Sequence, residues 1–121
     1  AVALTTDTSI LTALANDYGY EAVFARQVEA LARSGDALIG LSTSGNSPNV
    51  LSAVAAAEAK GLSTFALTGA GGGKLSEVVA NTVKVPSRNT QRIQEAHIFI
   101  LHCWATAIEQ LALEPTAKTD F

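Results

Sequence analysis

The chain has 121 residues, 48% hydrophobic and 16% charged, with 11 acidic against 8 basic residues and a net charge of -3. That composition supplies one core and one domain over residues 1–121, and an acidic balance with no basic run argues against direct nucleic-acid binding. The single cysteine, Cys103, excludes an internal disulfide framework and a cysteine-based zinc knuckle, which fits a reducing compartment.

In chain order, strand-like apolar runs alternate with segments of helical period, the pattern of a parallel sheet covered by helices. Ala1 to Leu4 is expected as a first short strand. Ser9 to Ala15 is expected as a short helix, and Glu21 to Arg33 as a longer one with Phe24, Val28 and Leu31 on its apolar face. Gly35 ends that helix and Ala37 to Leu41 returns to the sheet. Pro48 opens the next helix with Ser47 as its cap, Val50, Val54 and Ala57 give its apolar face, and Gly61 stops it. Ser63 to Leu67 is a strand, Gly69 to Gly73 a turn, Leu75 to Val79 a short helix and Thr82 to Val85 a strand. A long helix from Thr90 to Leu113 completes the order. Four strands with their crossovers make a doubly wound α/β layout, with ligands expected at the strand C-terminal ends. No apolar stretch is expected to reach the roughly 20 residues of a membrane span. The N-terminus lacks the basic-then-apolar form of a signal peptide, so the expectation is a cytoplasmic protein with no membrane partner.

The stretch Ser42-Thr43-Ser44-Gly45-Asn46-Ser47, between a buried strand and a helix start, reads either as a Ser-rich strand-to-helix turn or as a cradle for a phosphate monoester. The cradle has a physical basis: hydroxyls line it, Gly45 lets backbone N–H groups approach closely, and the unpaired amides of the following helix face the anion. Gly69-Ala70-Gly71-Gly72-Gly73-Lys74 invites a nucleotide reading but fits neither template. The dinucleotide fingerprint needs glycine where Lys74 stands, and the Walker A pattern needs glycine at Thr68 and a hydroxyl residue at Leu75. It reads as a flexible turn.

The last helix is apolar nearly all round from Ala96 to Ala107, the signature of burial on every side, with neighbouring subunits or a further segment supplying the cover. His97 shares a stripe with Ile93, Ile100, Trp104 and Ile108 and reads as a hydrogen-bonded core histidine. His102 lies roughly opposite that stripe. Alone, it too reads as a satisfied buried histidine sooner than as a catalyst. Asn16-Asp17 reads by composition as a helix end followed by a turn, and Arg92 with Glu95 as a structural ion pair.

Taken together, STSGNS at 42–47, the TG-x-x-GG turn from Thr68, TDTS at 6–9 followed by Asn16-Asp17, and Arg92-Ile93-Gln94-Glu95-Ala96-His97 followed by His102 resemble the sugar isomerase (SIS) family of phosphosugar-binding domains. Within it the chain resembles the phosphoheptose isomerases. The resemblance implies a flavodoxin-like three-layer sandwich in which Ser42, Thr43, Ser44 and Ser47 hold the phosphate, Asn16 and Asp17 read sugar hydroxyls, and Gln94 also contacts substrate. It makes His102 catalytic. In zinc-containing members, Gln94 and His102 are also metal ligands, so the resemblance implies one Zn2+ per subunit, with a histidine and a glutamate from an earlier helix completing the site. Eight residues of helix separate the two by about 12 Å, so their side chains must lean together to share an ion. The family's N-terminal helices, first strand and Gly-Asn-Gly-Gly-Ser loop have no counterpart here, so the resemblance covers about the C-terminal two-thirds of a complete isomerase. Gln91 stands where some relatives place aspartate, which alters one substrate hydroxyl contact.

The implied reaction interconverts sedoheptulose 7-phosphate and D-glycero-D-manno-heptose 7-phosphate, feeding heptose precursors of the cell envelope, in a homotetramer with sites at subunit interfaces. A base removes a proton beside the carbonyl, an enediol or enediolate forms, and an acid returns the proton to the neighbouring carbon. Histidine suits such work near neutrality. His102 is one acid/base on this reading and a glutamate of the earlier helix the other. Two rivals stand beside it: a non-catalytic SIS tetramer that binds the bacterial replication initiator, and a phosphosugar-sensing regulatory domain. The first has asparagine in place of the catalytic histidine and STRGNS for the loop, whereas this chain has His102 and Ser44. The second would keep Ser42 to Ser47 without needing His102.

Overall fold

The structure, a computed structural model, describes residues 1–113, so the last eight residues of the expected domain lie outside it. Helix α1 (Thr8–Tyr18) starts at Asp7, whose carboxylate accepts the Ile10 N–H at 2.9 Å, a side-chain N-cap that satisfies one orphan amide. A 3-10 turn over Tyr20–Ala22 leads into α2 (Val23–Leu31). There the buried side is Val23, Gln27 and Val28, while Leu31, expected on the apolar face, is exposed. Gln27 is tolerated inside because its amide donates to the carbonyls of Leu4 at 3.0 Å and Val23 at 2.9 Å.

Strand β1 (Ala37–Leu41), helix α3 (Pro48–Ala59), strand β2 (Ser63–Thr68), helix α4 (Leu75–Val78), strand β3 (Asn81–Lys84) and helix α5 (Thr90–Leu113) follow. The described residues form one three-stranded parallel sheet in the order β1-β2-β3, with Ile39 opposite Phe65 and Leu67 opposite Val83. The expected first strand, Ala1 to Leu4, is absent from it. That run adopts turn and irregular backbone, its Leu4 carbonyl is held by Gln27, and no neighbouring strand pairs with it. Four apolar residues without a ladder partner do not hold an extended conformation.

On one sheet face, α3 packs over Leu38 and Gly40, where a side chain on Gly40 would press on Val50 at 3.0 Å. Val54 joins Ala66, Leu75 and Val79 in one buried cluster, and Ala53 and Ala57 join Val28 and Leu62 in a second between α2 and α3. The Lys60 ammonium, just past α3, donates to the Glu29 carbonyl at 2.6 Å, closing the C-terminal end of α2 where a cation is favoured. The opposite face is covered by α5, with Trp104 edge-on to Phe65 at 6.2 Å between ring centroids. The result is the expected three-layer sandwich.

One helix does not cover that second face fully, and Ile39, Leu41 and Val83 stay partly exposed. Helix α5 is only partly covered within this chain, and its composition leads us to expect the remaining cover from neighbouring subunits or a further segment. Its buried residues are Ile93 and His97, whereas Ile98 is 56% and Phe99 69% exposed, and Cys103 is exposed too. One expectation fails here: by length and composition alone α5 is long and apolar enough to cross a bilayer. Core helices meet the same test, and α5 lays Ile93, His97 and Trp104 against the sheet while carrying the Arg92–Glu95 pair.

Leu75→Ala should destabilise the fold by about 2–5 kcal/mol, because it empties a fully buried site. Val78→Ala, three residues on and half exposed, should stay within about 0.5 kcal/mol. Urea denaturation of the two variants beside the parent checks the contrast.

Candidate functional site

The Ser42–Ser47 loop leaves the C-terminal end of β1, and the Ser42 N–H donates to the Leu67 carbonyl at 3.1 Å, carrying the sheet ladder one step into the loop. The Gly45 N–H then turns back onto Ser42, reaching its carbonyl at 3.0 Å and its hydroxyl at 3.1 Å. Ser42 Oγ and Ser47 Oγ lie 2.8 Å apart, with Ser42 buried. Ser47 is the N-cap residue of α3 and Pro48 lies in the first turn, as expected, although the Ser47 side chain makes no cap hydrogen bond. The Ser42 hydroxyl engages it instead. Ser42 and Ser47 brace the loop, and Ser44 Oγ joins them by accepting the Asn46 N–H at 3.1 Å while lying 3.4 Å from Ser42 Oγ.

Thr43 and Ser44 line a cleft of about 380 Å³. Its other walls are Ala70 and Gly71 of the β2–α4 turn, Ser87, Arg88 and Thr90 of the β3–α5 segment, and Ile93. This is the mouth of the parallel sheet at its strand C-terminal ends, where open α/β folds place ligands. The glycine-rich turn, expected to be flexible, is a packed wall. Gly45 and Gly73 meet backbone to backbone, so that a Cβ on Gly45 would fall 1.9 Å from the Gly72 carbonyl oxygen and one on Gly73 2.4 Å from that of Ser44. Both glycines have positive φ, 69° and 55°, which other residues adopt at a cost. The Leu75 N–H donates to the Gly45 carbonyl at 2.9 Å, the Lys74 N–H to Asn46 Oδ1 at 3.0 Å, and the Gly69 N–H to the Thr43 carbonyl at 3.0 Å.

His97 fixes α5 to the same mouth. Its Nε2 lies 3.2 Å from the Thr68 carbonyl at the end of β2, and since a carbonyl only accepts, that nitrogen carries the hydrogen. His97 is thus the hydrogen-bonded core histidine expected from its stripe. The start of α5 is capped by Asn89, whose Oδ1 accepts the Arg92 N–H at 3.2 Å. Arg92 pairs with Glu95 at 2.6 Å on an exposed surface, the structural role expected of it, and such pairs are weak.

The remaining candidates lie elsewhere in this chain. His102 is exposed in a separate shallow groove on α5 with Cys103, Thr106 and Gln110. It stands nine residues from Ile93, about 13.5 Å along the helix axis. Gln94 is exposed at the first turn of α5. Asn16 and Asp17 are exposed at the end of α1 and engage each other, Asn16 Nδ2 donating to Asp17 Oδ1 at 2.9 Å. Among the described residues no three histidine, cysteine or carboxylate side chains converge as metal ligands. Gln94 and His102 alone do not make a zinc site, which takes three or four ligands. Ser87, Arg88 and Thr90 escaped sequence reasoning, although they follow the end of a parallel strand, the place where ligand contacts concentrate.

The SIS domain family model matches residues 1–69. The chain belongs to the SIS domain family. That match includes the hydroxyl loop and ends at Gly69, before α5, so the second half of this SIS domain is compared through whole relatives. A phosphoheptose isomerase of Roseiflexus sp. (strain RS-1) is 56% identical over 114 residues, which make up 94% of this chain and 58% of that protein. A solved phosphoheptose isomerase from Neisseria gonorrhoeae, 50% identical, superposes with a TM-score of 0.88 over 91% of this chain and 61% of its own. One from Francisella tularensis, 42% identical, gives 0.87 over 91% and 59%. The chain thus spans between 58% and 61% of the length of these proteins.

Gly45→Ala should cost about 3 kcal/mol or more, because it adds backbone overlap to a strained φ. Gly35→Ala, also at positive φ but with open space around it, should cost about 1–2 kcal/mol. Equal losses in denaturant titration would show that the contact between the two loops contributes nothing.

Proposed function

We propose that this SIS domain is the phosphosugar-binding part of an aldose–ketose isomerase interconverting sedoheptulose 7-phosphate and D-glycero-D-manno-heptose 7-phosphate. The observation that carries the proposal is the hydroxyl loop, held rigid at the sheet mouth with Thr43 and Ser44 facing a cleft of about 380 Å³. Relatives named phosphoheptose isomerase, more than half identical to the chain, support the same reaction. They do not favour the initiator-binding or sensor readings.

In the proposed mechanism, Thr43 and Ser44 donate to the phosphate oxygens, Ser42 and Ser47 hold the loop that presents them, and the first turn of α3 adds its dipole. A 7-phosphate carries its anion at the opposite end of the carbon chain from carbons 1 and 2, where the proton moves. The acid/base is therefore required away from the phosphate loop, and His102, on the face of α5 opposite Ile93, would meet a substrate held by the loop of a neighbouring subunit. His102 takes the proton from one carbon or returns it to the neighbouring one, as the enediolate forms and collapses. Asn16 and Asp17 are the candidate readers of sugar hydroxyls, and Gln94 a further substrate contact. Each would reach substrate only through polypeptide beyond this chain's own cleft.

Exposed Ile98 and Phe99 lie four and three residues before His102, on the same helix face. A surface this apolar calls for cover, and cover by a second copy would enclose His102 as well. This supports a homotetramer with sites at subunit interfaces. Zinc belongs to the proposal only with ligands from beyond the described residues, since Gln94 and His102 supply two at most. Sugar phosphates are retained inside cells, which fits a cytoplasmic enzyme supplying heptose for the cell envelope.

The test is conversion of sedoheptulose 7-phosphate by the protein with all its native flanking sequence, beside His102→Ala. Turnover in the parent and a loss of about 10²-fold or more in the variant, with phosphosugar binding retained, is the expected result. A folded parent that binds the phosphosugar without converting it would overturn the enzyme reading.

A further inference from the structure

We infer that Arg88, on the segment between β3 and α5, is the cation that neutralises the bound phosphate and so sets the chain's preference for phosphorylated over free sugar. Resting on the phosphosugar reading above, this assigns a binding role to a residue outside the hydroxyl loop. Charge is the argument. A phosphate monoester carries close to two negative charges at neutral pH, whereas the start of α3 offers the equivalent of roughly half a positive charge and the loop hydroxyls are neutral. Of the residues lining the cleft, Arg88 alone is charged. Neither ion pair among the described residues involves it, since Arg26 pairs with Glu29 and Arg92 with Glu95. Its guanidinium is thus available to form a two-pronged contact with phosphate oxygens, the geometry in which arginine surpasses lysine.

The backbone around Arg88 is anchored. The Ser87 carbonyl accepts the Ala70 N–H at 3.1 Å, and Ser87 Oγ accepts the Asn89 N–H at 3.1 Å. The segment is therefore tied to the glycine turn on one side and to the cap of α5 on the other. Arg88 thus lines the cleft from an anchored segment. The Ser87 hydroxyl lines the same cleft and adds a neutral donor beside the charge.

The experiment titrates the parent protein with its native flanking sequence, Arg88→Ala and Arg88→Lys, by calorimetry, with inorganic phosphate, sedoheptulose 7-phosphate and unphosphorylated sedoheptulose, and measures turnover in parallel. Arg88→Ala should weaken both phosphorylated ligands by roughly ten- to a hundredfold, the worth of a charged hydrogen-bond pair, and leave free sedoheptulose unchanged. KM should rise by the same factor with kcat within about twofold, and Arg88→Lys should recover part of the loss. Phosphate affinities within twofold of the parent in a folded Arg88→Ala protein would overturn the assignment while leaving the isomerase reading intact. A parent that binds phosphate through Arg88 without turnover would sustain it and remove the isomerase reading. A parent that binds neither phosphorylated ligand would remove both.

Discussion

Everything at the mouth of this sheet depends on two backbones touching where no side chain can stand between them. Gly45 and Gly73 approach so closely that a methyl group on either would overlap a neighbouring carbonyl. With that approach, the Leu75 N–H reaches the Gly45 carbonyl and the Lys74 N–H reaches Asn46. The loop after β1 and the turn after β2 become one body. Ordering a residue's backbone costs about 1–2 kcal/mol, and here that cost is met at folding, so the proposed phosphate site would have Thr43 and Ser44 already in place.

The third segment joins through the end of β2. The Thr68 carbonyl accepts both the Val85 N–H at 2.9 Å and His97 Nε2 at 3.2 Å, which ties β3 and α5 to the strand between the two loops. His97 is 3% exposed, and a buried imidazole without a partner would be costly. With the Thr68 carbonyl as partner it becomes a brace. The cleft is thus enclosed by three chain segments whose positions are set by backbone hydrogen bonds, and Arg88 stands on the least regular of them.

Much of this was legible in the sequence, because period and punctuation are local signals. The run Ala37 to Leu41, the Pro48 start, the Gly61 stop and the span Thr90–Leu113 all fall where composition placed them. Ala1 to Leu4 misled because a strand is defined by its partner, and partners are not written in a four-residue window. The glycine turn was read as slack because the same residue serves flexibility and close packing, and only the position of Gly45 across the gap distinguishes them. Ser47 caps α3 as its sequence position predicts, but that its hydroxyl engages Ser42 is set by the turn and is not a local signal. The composition of α5 calls for cover on every side, and within one chain the sheet supplies it only along the stripe of Ile93, His97 and Trp104.

That partial cover gives α5 two ends with different work. Its first turns border the cleft through Thr90 and Ile93, and His102 lies about 13.5 Å further along the axis. Nine residues also carry His102 half a turn round from Ile93, so it faces away from the cleft, and on the isomerase reading it would serve a phosphate loop presented by another copy of the chain. Ile98 and Phe99 share a face with His102 and stand in water in the single chain. A covering polypeptide that buried them would border His102 as well, and on the isomerase reading an acid/base so enclosed would act on a carbon-bound proton without solvent competing for the enediolate. On that reading the apolar surface and the catalytic requirement would be met by the same covering partner.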